Sequence, residues 1–213
     1  MFIRKAKIED MDKVIELTFL ALGDYRYVIT GYDDEELVKK KFEEFFVSEK
    51  GCYSYENFIV ADHNGQVVGS LNYYDCYDIA EMHKYMIESV RKHAPKMTKF
   101  EIECEPEELY LDTIAVDPSY QGRGIAKKLI DFAEKRGREK GFAVMSLIVL
   151  EKKEKAYWLY RRMSFREIGQ KEIYGDSDKY MVKKIKCFYM YRNKEKRDPL
   201  DLAFYLLSSL GFY

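Results

Sequence analysis

Two strand-like runs, LYLDTIAV at 109–116 and FAVMSLIVL at 142–150, are joined by a glycine turn and one helical stretch. The second run is apolar at almost every position, the mark of a strand buried on both faces. A strand, a helix and a strand in succession form a crossover unit, which restricts the chain to a sheet that helices can cover. The helical stretch, IAKKLIDFAEKRGREK, repeats its apolar face at Ile125, Leu129, Phe132 and Ala133, and Gly141 stops it.

The remaining segments fit around this unit. MFIRKAKI reads as a first strand. EDMDKVIELTFLAL and DDEELVKKKFEEFF read as amphipathic helices. NFIVAD and VVGSLNYY flank Asn64-Gly65, a pair that readily takes positive φ, so they form a hairpin. YDIAEMHKYMIESVRKHAP is helical up to Pro95, and the acidic stretch KFEIECEPEE follows it. EKAYWLYRRM is a short helix. FREIGQKEIYGDSDKYMVKKI is a hairpin that turns at Gly175. The order β-α-α-β-β-α-β-α-β-α-β-β predicts a mixed α/β sheet with helices on both faces.

Composition narrows the partners. The 213 residues carry a formal net charge of −1, which gives no field to attract nucleic acid or an anionic membrane. Cys52, Cys76, Cys104 and Cys187 make no C-x-x-C pair, and His63, His83 and His93 have no ligand spacing with them. Free thiols in a reducing compartment and no metal are expected. The start of the chain is charged from Arg4 and is neither a signal nor a transit peptide. The longest uncharged run, 202–213, is too short to span a bilayer. A cytoplasmic protein is expected.

The turn VDPSYQGRGIAKKLI reads on its own either as a phosphate turn or as an ordinary glycine loop with a solvated basic face. It lacks the G-x-x-x-x-G-K-[ST] of a P-loop. It also lacks the third glycine of a dinucleotide turn, where Lys127 stands instead. Gln121-x-x-Gly124-x-Ala126 opens a helix, so unpaired N–H groups and the positive end of the helix dipole point outward. Arg123, Lys127 and Lys128 add charge.

With its flanks, LYLDTIAVDPSYQGRGIAKKLIDFAEKRGREKGF followed by AYWLYRRMSF, this turn resembles the GCN5-related N-acetyltransferase (GNAT) superfamily over about 109–166. The element order extends a looser likeness to 1–185. The resemblance implies a mixed, mostly antiparallel sheet whose central parallel pair splays apart around acetyl-coenzyme A. It implies an acetyltransferase domain at 1–190 with an insert at about 75–108. Ile114, Ala115 and Val116 would offer backbone groups to the pantetheine and acetyl carbonyl. Gln121, Gly122, Arg123, Gly124, Ile125 and Ala126 would hold the pyrophosphate. Ala156 would lie against the cofactor, and Tyr160 falls where the family has a tyrosine near the sulfur. Two positions depart from the pattern. Lys153 replaces an asparagine that touches the pantetheine and would instead reach a phosphate of the cofactor, and Ser164 replaces a glycine.

The implied reaction moves an acetyl group from acetyl-coenzyme A to a primary amine of a small molecule or peptide; the alternatives are a different acyl group or a hydroxyl acceptor, or a regulatory module that binds coenzyme A without turnover. Tyr160 is the expected acid for the leaving thiolate. Asp112, inside the signature strand, is the expected base, on the same face as Ile114 and Val116 by strict alternation. Tyr157 and Trp158 are expected to pack. Glu101, Glu103 and Glu105 would project to one side of an extended segment and gather a cationic acceptor. RDPLDLAFYLLSSLGFY, in the tail at 191–213, has a helix start at Asp198-Pro199. Its apolar residues call for packing on the main domain or on a second copy as a homodimer.

Overall fold

The computed structural model describes residues 1–185. Seven strands form one sheet in the order β1-β2-β3-β4-β5-β7-β6. They are β1 (Phe2–Lys5), β2 (Phe58–His63), β3 (Gln66–Asp75), β4 (Glu108–Val116), β5 (Val144–Val149), β6 (Arg166–Ile173) and β7 (Asp176–Lys184). Only the β4–β5 pair is parallel; the other neighbours are antiparallel. This is the expected sheet.

Alternation along the strands divides the apolar residues between two cores. Phe58 and Val60 of β2 face a core filled by α1 (Met11–Leu22), α3 (Glu35–Val47) and α4 (Ile79–Val90). Ile59 and Ala61 face the opposite core, filled by α5 (Ile125–Lys140) and by Tyr160 of α6 (Glu154–Arg162). The hairpin between β2 and β3 turns on Asn64 and Gly65, at φ 57° and 85°. Gly141 ends α5 at φ 91°.

One helix has no counterpart in the sequence reading. α2 (Tyr25–Thr30) is a single six-residue segment closed by Gly31 in the left-handed region. Six residues are too few to display a helical period, and five of the six in YRYVIT favour strands.

The cysteine expectation needs correction. Cys76 and Cys104 form a disulfide, with Cα atoms 6.2 Å apart, and Cys52 is a buried free thiol. The pairing follows from the sheet. β3 and β4 are antiparallel neighbours with Asp75 opposite Leu109. Cys76 leaves β3 and Cys104 approaches β4 at the same end, so the bridge closes the base of the insert. Cys187 and the helix expected in the tail at 191–213 lie outside the described residues.

Candidate active site

The parallel pair parts early. β4 and β5 are matched only from Glu108↔Val144 to Leu111↔Leu147. Beyond those rungs a cavity of about 930 Å³ opens between them. Asp112 is the first residue past the last rung.

The other edge of β4 is irregular at the same point. Leu71 pairs with Ile114 and Tyr73 with Leu111, so Asp112 and Thr113 together oppose Asn72. This is a β-bulge, which offsets the alternation by one residue. Asp112 therefore does not share a face with Ile114 and Val116, contrary to strict alternation. Ile114 and Val116 pack with the α5 core, whereas Tyr110 and Ala115 belong to the core on the α1 side. The hydroxyl of Tyr74, also on the α1 side, donates to Asp112 at 3.0 Å.

One end of the cavity is made of backbone. Gly124 caps α5 at φ 74° with no side-chain cap, which leaves first-turn N–H groups open. Gly122 stands at φ 76°, and a Cβ at either glycine would meet nothing within 4 Å. Glycine is needed there for the backbone angle, and the space in front is free. The Gln121 amide donates to the Val116 carbonyl at 3.1 Å. Arg123 donates to the Ser119 carbonyl at 3.0 Å and lies 4.9 Å over the Tyr120 ring. Both side chains thus brace the turn. An uncapped helix start behind two open glycines fits the pyrophosphate of coenzyme A.

Of the residues expected at the cofactor, Ile114, Ala115, Val116, Gln121, Gly122, Gly124, Ile125, Ala126, Lys153, Ala156 and Tyr160 line the cavity, and Arg123 does not. The Lys153 ammonium donates to the Ala21 carbonyl at 2.8 Å. Tyr160 is buried, and burial pushes its hydroxyl up to about 12, so it stays protonated through the neutral range. Trp158, expected to pack, is 56% exposed at the cavity edge.

The other end is made of side chains from distant segments. Tyr110 donates to Glu103, and Tyr74 to Asp112. Burial raises both carboxyls, Asp112 strongly; the Glu103 charge raises Asp112 further, and the Tyr74 hydrogen bond opposes the shift. Asp112 keeps a partly exposed face only because the cavity opens onto it. Neither carboxylate has a Lys or Arg within ion-pair distance among the described residues. Glu101 also lines the cavity, 3.3 Å from Lys99. Glu105 does not line it and accepts from Lys171 at 3.0 Å. Residues 99–107 contain no strand, so the alternation that would align all three glutamates is absent.

Sequence reading missed Tyr25, Tyr53, Tyr74, Tyr174 and Asp178, which also line the cavity. The count of 19 tyrosines pointed to an aromatic cleft without saying which of them form it. Among the described residues, no cluster of three His, Cys, Asp or Glu could hold a metal ion, and no helix is long and apolar enough to cross a membrane.

Comparison with known proteins agrees with this architecture. The profile of the acetyltransferase (GNAT) family matches residues 24–165. The uncharacterized N-acetyltransferase MJ1207 of Methanocaldococcus jannaschii is 27% identical over 165 residues, which cover 78% of this chain and 60% of that relative. A crystal structure described as an acetyltransferase superposes at TM-score 0.70 with 28% identity, over 87% of this chain and all of the other. A PaiA N-acetyltransferase from Thermoplasma acidophilum, solved in complex with coenzyme A, shares the fold at TM-score 0.50 and 21% identity, over 86% and 98% of the two chains. The family match spans more than half of the sequence and includes the parted strands and the phosphate turn: the chain belongs to the GNAT family of acetyltransferases.

Proposed function

We propose that residues 1–190 form an N-acetyltransferase that moves the acetyl group of acetyl-coenzyme A to the primary amine of a cationic acceptor. The supporting observation is the contrast within one cavity. An open helix start suited to a pyrophosphate lies at one end, and unpaired buried carboxylates suited to an ammonium lie at the other. Coenzyme A supplies an already activated thioester, so no protein nucleophile is required.

The chain's task is to align and to move protons. Strand residues Ile114 to Val116 orient the acyl arm through their backbone groups, and the α5 start holds the phosphates. Holding both partners in line makes the attack effectively intramolecular. Asp112 takes a proton from the ammonium. Its raised proton affinity brings it nearer to the working pH of a base. The amine then attacks the acetyl carbonyl; as the C–N bond forms and the C–S bond breaks, the Tyr160 hydroxyl gives its proton to the leaving sulfur, the second proton shed by the nitrogen restores Tyr160, and Asp112 releases the first to solvent. Glu101 and Glu103 attract the cation. The proposal includes a tail at 191–213 that packs on this unit or on a second copy.

The test is release of free thiol when the protein meets acetyl-coenzyme A and a panel of amines. Amine-dependent release with an acetylated product by mass supports the reading. Tight coenzyme A binding with no release would make the chain a binding module instead. Tyr160→Phe should keep donor affinity and lower kcat by about 10²-fold, the scale of a lost general acid. Equal turnover would return Tyr160 to the core.

A further inference from the structure

Asp178 is an acid that the reaction above does not use. It lies on β7 and is only 2% exposed. Its Oδ1 accepts the Glu151 backbone N–H at 3.2 Å, while its Oδ2 has no hydrogen-bond partner. A buried carboxylate oxygen without a partner is costly, so a missing partner is the natural question.

Its position suggests where that partner comes from. Lys179, the next residue, pairs with Val149, the last residue of β5. Asp178 thus stands at the open end of the parted strands and lines the same cavity as Asp112 and Glu103. It is near enough for its charge to raise the proton affinity of Glu103.

Two neighbouring lysines are committed elsewhere, and the exposed Lys152, whose charge acts on Asp178, forms no ion pair with it. Lys171, opposite Asp178 on β6, donates to Glu105 at 3.0 Å and lies 4.5 Å from the Tyr180 ring. Lys153 donates to the Ala21 carbonyl. Asp112, Glu103 and Asp178 therefore sit in one cavity with no ion pair among the described residues. A single ammonium at Asp112 and Glu103 leaves Asp178 unanswered. The Tyr25 and Tyr174 rings, 5.5 Å apart, give the same cavity aromatic surface suited to an alkyl chain or a cation.

We propose that Asp178 determines acceptor specificity by binding a second cationic nitrogen, so that the acceptor is a small molecule with two cations joined by an apolar chain. This rests on the acetyl transfer proposed above. The reactive amine approaches Asp112 and Glu103, and the distal ammonium or guanidinium donates to Asp178 Oδ2.

The experiment compares putrescine, cadaverine and hexamethylenediamine, each against the monoamine of equal carbon number. The diamine of matching length should exceed its monoamine in kcat/KM by about tenfold or more, the scale of one charge-assisted hydrogen bond. Asp178→Asn keeps a carbonyl oxygen for the Glu151 N–H, and it should collapse that ratio toward one. Asp178→Ser serves if the first variant does not fold, and the ratio must collapse there too. Calorimetry with coenzyme A confirms that each variant retains its donor site. Wild-type transfer that is equal for monoamines and diamines, or a variant that slows both alike, would overturn this inference alone. Coenzyme A binding with no transfer to any amine would overturn the acetyltransferase reading beneath it.

Discussion

The two ends of the cavity are built differently. The donor end is backbone: the start of α5, the glycines at 122 and 124, and the strand edge at 114–116, all within a dozen residues. The acceptor end is side chains: Tyr25 from α2, Tyr74 from β3, Glu103 from an irregular segment, Asp112 from a bulge and Asp178 from β7. A backbone site depends on main-chain angles that a few local residues dictate. A side-chain site depends on how distant segments meet. The first tolerates substitution except at its glycines, whereas the second can change its ligand by exchanging single residues.

The largest test of this contrast is Gly124→Glu. It places a carboxylate in the space meant for phosphate and forces an L side chain to φ 74°. Like-charge contact costs several kcal/mol, so coenzyme A affinity should fall about 10³-fold or more by calorimetry while the acceptor end keeps its structure. Unchanged affinity would place the donor elsewhere.

The next test strikes the other end. The disulfide closes a loop with a sequence separation of 28 at the base of the insert that carries Glu101 and Glu103. Chain entropy alone predicts that replacing Cys76 and Cys104 by Ser lowers stability by about 3.5 kcal/mol. That is roughly 7–14 °C in melting temperature for a domain of this size. Coenzyme A affinity should hold. Loss of donor binding in a folded double variant would show that the two ends are not separable.

A third test uses pH. The kcat/KM should climb as pH rises and Asp112 ionises, because a base must be unprotonated to act. Stability should move the other way. The folded pKa lies above the unfolded value of about 3.9, so the Asp112 contribution is whole below that value and is lost as pH rises through the folded one. Asp112→Asn should therefore melt higher than wild type at neutral pH, with the gap closing near pH 4, while kcat falls about 10²-fold. A variant less stable than wild type at neutral pH would mean that the carboxylate is needed for structure.

The smallest test lies outside both ends. Ser164 stands at φ 70°, where the family pattern has glycine. Ser164→Gly removes the left-handed penalty against a small gain in unfolded-state entropy, and should stabilise by about 0.5–1 kcal/mol. Neither substrate's affinity should move. A lower melting temperature would show that the serine side chain supplies a compensating contact.

The same contrast explains what the sequence disclosed. Helical and alternating periods made the element order readable, and Gly122, Gly124, Asn64 and Gly65 marked their turns because each needs a backbone angle that few residues adopt. Asp112 was recognisable as an unusual acid in a strand. Its facing was not, because a bulge is defined by the partner strand: only the step from Leu71 to Tyr73 on β3 shows it. The Cys76–Cys104 bridge depends on β3 lying beside β4. Glu103 and Glu105 look alike in sequence, yet one accepts from Tyr110 and the other from Lys171. Asp178 sits in a hairpin of mixed polarity and becomes conspicuous only once its free oxygen is found buried.

Trp158 is the one tryptophan in the chain, and it stands at the rim of this cavity. An indole emits at shorter wavelength when water is removed from around it. Filling the cavity would shade this ring without any added dye. Each titration named above then carries its own optical signal, and the order in which the two substrates enter can be followed by stopped-flow fluorescence on the unlabelled protein.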